Sequence, residues 1–298
     1  NQGRPLGLLV KIFPKLSETF ILEEILGLER MGVPIRLYAL AAPTDAIVHP
    51  AVANVRAPLT LVPQLLDSQW RQFAARHLRL FISAPLNYVS AFVSAFARGR
   101  RGMHDFILAG WLAVQLRDDG VEHLHTHFIS TPADVAELVS QLTALPFSIS
   151  AHAKDIYLSD QTDLRRKLEA ASFTVTCTEF NRQTLTSIAP QAIVHRMYHG
   201  VDRDQFQPKQ LTVSEAPLIL SIGRLREKKG LDTLIDACRL LYDRGQVFHC
   251  EIVGYGEERD RLQALIVRHG LAKHVQLVGA QSREQVIESY SRATVYVQ

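Results

Sequence analysis

Short apolar runs alternate along the chain with segments whose apolar positions recur every three or four residues. The runs at 7–13, 34–40, 59–62, 123–128, 147–151, 173–177 and 192–197 read as strands. The first, 7–13, reads as a buried strand, and the alternation of short strand-like runs with helical stretches argues for parallel sheets. Helical periodicity fills the intervals at 18–31, 131–143, 162–170 and 179–188, and Ser17 is the expected N-cap of the first helix. A polar stretch over 202–217 with Pro208 and Pro217 then suits a linker. The rhythm restarts with strands at 218–222, 247–253, 275–278 and 294–297, separated by helices at 230–244, 257–269 and 282–292. The pattern predicts an α/β protein of two Rossmann-like, doubly wound domains, 1–205 and 206–298. The second holds fewer strands than such a domain normally has. The chain opens on Asn-Gln-Gly-Arg without an initiator Met and ends at Gln298 inside a β/α unit, so the expectation is an excerpt with a truncated second domain.

One segment breaks the alternation. Residues 70–101 contain Arg71, Arg76, Arg79, Arg98, Arg100 and Arg101 and no acidic residue. Between Arg79 and Arg98 lies an uncharged run at the lower length limit for a membrane span. Pro85, Asn87 and three serines dilute its hydrophobicity, and a span would divide one α/β domain across a bilayer. An interfacial helix pair on an anionic membrane and a helical hairpin buried against the sheet are the two readings left.

Composition narrows the classes. Net charge is +3 and the pI about 8.8, too mild a bias to indicate a nucleic-acid partner. Cys177, Cys238 and Cys250 are odd in number, far apart and without CxxC spacing. That excludes a disulfide framework or zinc ribbon and fits a reducing compartment. No signal-peptide apolar core is present near the start. The expected location is cytoplasmic, with peripheral attachment at the inner membrane face if the arginine segment is interfacial.

The chemistry concentrates in Ser221-Ile222-Gly223-Arg224-Leu225-Arg226-Glu227-Lys228-Lys229-Gly230-Leu231-Asp232. A buried strand runs into a basic loop, and a glycine opens the next helix. Strand carboxyl ends and helix N-termini in α/β folds expose free N–H groups, which favour anions. Arginine adds a bidentate fork and lysine a mobile point charge. The bland alternative is a solvated basic turn. Elsewhere, Gly254-Tyr255-Gly256 starts like a dinucleotide fingerprint, but Arg259 occupies the place of the third glycine. His125 and His127 share one strand face. With no carboxylate or thiolate near them in sequence, they read as packing residues, not metal ligands. Asp202-Arg203-Asp204 has a DxD spacing but sits at the linker. No metal or other cofactor is expected.

The string GR-x-x-x-KKG-x-D resembles the signature of family-four retaining glycosyltransferases. Further segments match in order: Phe13 to Ile21 resembles the first strand–helix loop of a bacterial exopolysaccharide, colanic-acid-like branch, and Ser150-Ala151-His152-Ala153-Lys154-Asp155 its HxxD element. His199-Gly200-Val201-Asp202 resembles the NGVD turn, with His199 in place of asparagine, and Val253-Gly254-Tyr255-Gly256 the second glycine loop. The resemblance covers nearly the whole chain and implies the GT-B fold, with the acceptor on the first domain and a nucleoside-diphosphate sugar on the second.

The resemblance also implies roles. Arg224 and Lys229, with Gly223, would hold the donor diphosphate; Gly254, Tyr255, Gly256, Ala280, Gln281 and Val286 would meet the nucleotide. His152 would face the sugar, and Ser17, Glu18, Thr19 and Asp155 would serve the acceptor, a glycan or lipid-linked oligosaccharide. The implied reaction is retaining sugar transfer. The family's E-x7-E element has no counterpart before Gln298, which puts donor-sugar binding in doubt for this chain. Other GT-B enzymes (an epimerase or a phosphorylase) and a noncatalytic nucleotide- or glycan-binding scaffold are the alternatives.

Overall fold

The structure, a computed structural model, describes residues 3–15, 18–43, 48–63, 70–200 and 216–298. The chain divides into two compact units, Asn1–Gly200 and Val201–Gln298. Most of the expected linker, like Ser17, lies outside the described residues.

The first unit is built on a parallel seven-stranded sheet. Its strands are β1 (Leu6–Ile12), β2 (Ile35–Ala41), β3 (Leu59–Leu61), β4 (His123–His127), β5 (Phe147–Ala151), β6 (Phe173–Thr176) and β7 (Val194–Arg196). They lie in the order β3-β2-β1-β4-β5-β6-β7. The order reverses between β1 and β4, and ligands of open α/β sheets collect at the strand carboxyl ends beside such a reversal. Register there is fixed by apolar strands: Leu8 pairs with His125, and His125 with Ser148.

Helix α1 (Thr19–Arg30) buries Ile21, Leu22 and Ile25. Its N-cap position is held by Glu18, whose side chain caps nothing and instead pairs with Lys15 at 2.9 Å. The helix therefore starts one residue later than expected.

The arginine-rich segment forms α2 (Trp70–Ser83) and α3 (Pro85–Ala97), both packed on a helix the sequence pattern did not disclose, α4 (Gly99–Asp118). Arg76 stacks on Trp111, 4.1 Å from the ring centre, and donates to the Trp111 carbonyl; Arg79 pairs with Asp118, Arg98 with Glu137 and Arg101 with Asp134. Arg79 and Arg101 make these pairs at the surface, Arg98 makes its pair largely buried, and Arg71 and Arg100 remain without an ion pair among the described residues. No described helix is long and apolar enough to cross a membrane.

Helices α5 (Thr131–Thr143), α6 (Ala153–Leu158), α7 (Gln161–Ala170) and α8 (Glu179–Ile188) complete the unit. Lys167 is fully buried and donates to the Ile129 carbonyl at 2.9 Å while pairing with Asp134 and Asp163. Removing either side of such a pair leaves a buried charge, so the lysine firmly fixes the loop after β4.

The second unit has four parallel strands, β8 (Leu218–Ile222), β9 (His249–Val253), β10 (Val275–Gly279) and β11 (Val295–Tyr296), in the order β10-β9-β8-β11. Helices α9 (Leu231–Asp243), α10 (Arg259–Arg268) and α11 (Arg283–Arg292) connect them. Leu225, Ile235, Cys238, Cys250, Ile252 and Ile266 sit in its core. Ser282 and Gln285 form a capping box at the start of α11. The order reverses between β8 and β11, so the favoured position is the loop after β8.

Candidate functional site

In the second unit three neighbouring strands end in glycine, and their backbones are laced together. Gly223 N–H donates to the Val253 carbonyl at 2.9 Å, and Gly254 N–H to the Gly279 carbonyl at 2.8 Å. Leu225 N–H reaches the Tyr255 carbonyl at 2.9 Å. The lacing explains two glycines. A Cβ on Gly254, at φ 143°, would lie 1.8 Å from the Gly223 oxygen, and one on Gly256 would lie 2.2 Å from the Leu225 oxygen. Both are needed first by loop packing.

Beyond Gly223 the chain makes one turn of 3-10 helix, Glu227–Lys229, before Gly230 starts α9. The turn folds Lys229 back over the strand end, so that a Cβ on Gly223 would stand 4.0 Å from Lys229 Nζ. Arg224 is exposed, Arg226 pairs with Glu257 at 3.7 Å, and neither Arg224 nor Lys229 has an ion pair or side-chain hydrogen bond among the described residues. Two such cations beside a strand end are suited to binding an anion with several oxygens. At the end of β10, Ala280 is exposed, Gln281 accepts from the Ser289 hydroxyl at 3.1 Å, and Val286 is half-buried on α11. Tyr255 is exposed.

The corresponding strand ends of the first unit carry histidines. His152 follows β5 at the N-cap position of α6 without capping it. Its ring stacks on His127 and His199, at 6.0 and 5.4 Å between centres, and lies against Phe20 at 4.7 Å and Phe128 at 4.9 Å. Burial, then the neighbouring His127 and His199, push the His152 pKa down to about 3, so the ring is neutral at ordinary pH. Its Nε2 is buried without a hydrogen-bond partner among the described residues. Phe128 holds φ 74°, an uncommon conformation for an aromatic residue, which aims its ring at this cluster.

His125 sits below, its Nδ1 2.7 Å from Ser148 Oγ and its Nε2 2.9 Å from Ser150 Oγ. Glu24 of α1 approaches His127 Nε2 to 3.6 Å. A carboxylate does therefore accompany the histidine pair, contrary to the sequence-based expectation. Of the acceptor candidates, Glu18 is occupied by Lys15, Thr19 is exposed, and Asp155 accepts from the Ile129 backbone; burial raises the Asp155 pKa. Sequence reasoning missed Phe20, Glu24 and Phe128. The i,i+4 spacing of Phe20 and Glu24 was the available sign that they share a helix face.

Residues 202–298 match the family model described as glycosyl transferases group 1. That match spans the second unit, which is similar to group 1 glycosyltransferases. The amylovoran biosynthesis glycosyltransferase AmsK of Erwinia amylovora is 25% identical over 300 residues, 96% of this chain and 72% of AmsK. The putative colanic acid biosynthesis glycosyltransferase WcaL of Escherichia coli is 26% identical over 322 residues, 98% of this chain and 74% of WcaL. Among solved structures, Anabaena HepE in complex with UDP superposes with a TM-score of 0.69 at 16% identity, covering 99% of this chain and 73% of HepE. That likeness shows the fold of this chain to be of the GT-B type.

Proposed function

We propose that this chain is a group 1 glycosyltransferase that moves a sugar from a nucleoside-diphosphate sugar to a glycan or lipid-linked oligosaccharide, with retention at the anomeric carbon. The names of AmsK and WcaL place those relatives in amylovoran and colanic acid biosynthesis, and we assign this chain to assembly of a cell-surface or extracellular polysaccharide. The observation that carries the reading is the position of Arg224 and Lys229, without ion pairs among the described residues, at the carboxyl end of β8.

In this reading Arg224 grips two phosphate oxygens and Lys229 neutralises the oxygen that becomes the leaving group. Such preorganised charge supplies several kcal/mol to a step that develops negative charge. The nucleotide rests along the ends of β9 and β10, by Gly254, Tyr255, Gly256, Ala280, Gln281 and Val286. The C1–oxygen bond to diphosphate breaks, and the acceptor oxygen bonds to C1 on the same face. The acceptor proton passes to the departing phosphate oxygen, the nearest base on that face. His152, neutral and with an unused ring nitrogen, hydrogen-bonds a sugar hydroxyl. The two cations make a divalent ion unnecessary for transfer, so activity persists in excess EDTA; loss restored by Mg²⁺ or Mn²⁺ would refute that part.

A lipid-linked acceptor has support from the outer face of α2 and α3. Ile82, Leu86, Val93 and Phe96 are 72%, 85%, 58% and 68% exposed, and Arg71 and Arg100 of the same segment have no ion pair among the described residues. Exposed apolar residues and cations on one short helical segment suit the interface of an anionic bilayer. This reading keeps the chain cytoplasmic and peripheral at the inner membrane face. The whole proposal is tested by incubating the protein with a panel of nucleotide sugars and lipid-linked acceptors. Mass spectrometry should show a hexose-sized increment and release of nucleoside diphosphate, with the donor's anomeric configuration kept by NMR. Sugar transfer with inversion, or none with any donor, would overturn it.

A further inference from the structure

We infer that Glu24, His125 and His127 form a binding site for one divalent transition-metal ion of the zinc class, at the carboxyl end of β4 in the first unit. One ligand atom from each residue lies within 4.8 Å of the others. Glu24 Oε1 is 3.6 Å from His127 Nε2 and 3.9 Å from His125 Nε2. Tetrahedral zinc with nitrogen ligands at 2.0–2.1 Å separates its ligand atoms by about 3.3 Å, so the two Glu24 contacts need to shorten by roughly 0.3–0.6 Å and the two histidine nitrogens, within 4.8 Å of each other, by up to about 1.5 Å, the scale of small side-chain rotations.

The second observation is independent of this spacing. His127 is completely buried, yet neither of its ring nitrogens makes a hydrogen bond among the described residues. Buried polar groups are nearly always satisfied, and an orphan in a polar cluster points to a missing ion or water. The surroundings also orient the neighbouring ligand. The Ser148 hydroxyl lies 2.7 Å from both His123 Nε2 and His125 Nδ1. With His125 Nδ1 donating to Ser148, and Ser148 donating to His123, His125 Nε2 carries the lone pair, which the Ser150 hydroxyl meets at 2.9 Å and a metal would take over. Outer-shell contacts of this kind set the tautomer of ligating histidines.

Two imidazoles and one carboxylate suit Zn²⁺, Co²⁺ or Ni²⁺, whereas Mg²⁺ and Ca²⁺ require oxygen ligands. Three protein ligands leave one coordination position open. The site is separate from the donor-phosphate loop and does not depend on the proposed transfer reaction. An ion there would clasp α1 to β4.

The test uses tag-free, metal-stripped full chain titrated with Co²⁺, without donor or acceptor. One equivalent should bind with a visible d–d absorption band that Zn²⁺ bleaches, and Zn²⁺ should raise the melting temperature. Glu24→Gln should weaken Co²⁺ binding by more than about 10-fold, the lower bound expected for losing even an outer-shell partner. His127→Ala should abolish the band, and His249→Ala, a histidine outside the cluster, should leave it unchanged. Glu24 is half-exposed, so Glu24→Gln decides the matter even if His127→Ala fails to fold. Absence of a stoichiometric band, or equal uptake by wild type and Glu24→Gln, overturns the site.

Discussion

The two units present their strand carboxyl ends very differently although both are parallel α/β sheets. In the second unit the ends are glycines with laced backbones, and the side chains left over are the cations Arg224 and Lys229, which have no ion pair among the described residues. In the first they are half-buried or buried aromatic rings and histidines, of which His152 and His125 are held neutral by burial. Bare cations with little bulk suit an anion that needs several short contacts. Neutral rings with unused nitrogens suit an uncharged, hydroxyl-rich ligand. Under the proposed function one sheet architecture would serve two ligand chemistries, because the architecture fixes where a ligand sits and the loops decide what it is.

The largest expected effect tests the charged side. Replacing both Arg224 and Lys229 with Ala should lower sugar transfer by roughly 100- to 1,000-fold, the scale for removing preorganised charge from a transition state. An assay of nucleoside diphosphate release reads this directly; a loss below tenfold would erase the distinction between the units.

Next comes the neutral side. His152→Ala should lower kcat/KM by about 10- to 100-fold, the scale of one hydrogen bond of roughly 1.5–3 kcal/mol to a buried group. A greater loss of diphosphate affinity than of rate would show that the histidine serves the phosphates instead.

The lacing of the second unit makes a stability prediction. Gly254→Ala places a methyl against the Gly223 oxygen, and should destabilise that unit by about 1–3 kcal/mol. Urea unfolding followed by hydrogen exchange should show the loss in the second unit and not in the first.

The smallest effect concerns pH. His77 of α2, bonded to Tyr88 Oη at 3.0 Å and the Ile107 carbonyl at 3.1 Å, has its pKa lowered by burial. Below pH about 6.5 the unfolded chain binds a proton that the folded chain resists, so stability falls as pH drops. The contribution of one such group is at most about 1.4 kcal/mol per pH unit. Urea midpoints at pH 7.5 and 5.5 should converge in His77→Gln relative to wild type.

Much of this contrast was legible in the sequence. The β/α rhythm is carried by apolar runs that stay apolar whichever neighbour they pair with. Gly223, Gly254 and Gly256 stand out because glycine at a strand end has few other uses. Two features were hidden for physical reasons. Helix α4 is enclosed by α2, α3 and α5 and buries residues on every side from Phe106 to Leu116, so it shows no polar stripe to betray a helical period. Its Gly-Arg-Arg-Gly start also reads as a loop. Glu24 was hidden because β1 pairs with β4 across about a hundred intervening residues, and nothing local announces that α1 will overlie the histidines of β4. The arginine segment misled in the opposite sense: its charge looked unpartnered, yet four of its six arginines are paired within the fold.

The central claim is that phosphate recognition belongs to the second unit's cations and not to the first unit's histidines. Calorimetric titration of UDP and GDP into wild type, Arg224→Ala and His152→Ala tests it most directly. The account predicts that Arg224→Ala weakens binding of the preferred nucleotide by roughly 30- to 1,000-fold, equivalent to about 2–4 kcal/mol, while His152→Ala leaves it within about twofold. Unchanged affinity in Arg224→Ala, or a loss in His152→Ala that matches it, would contradict the account.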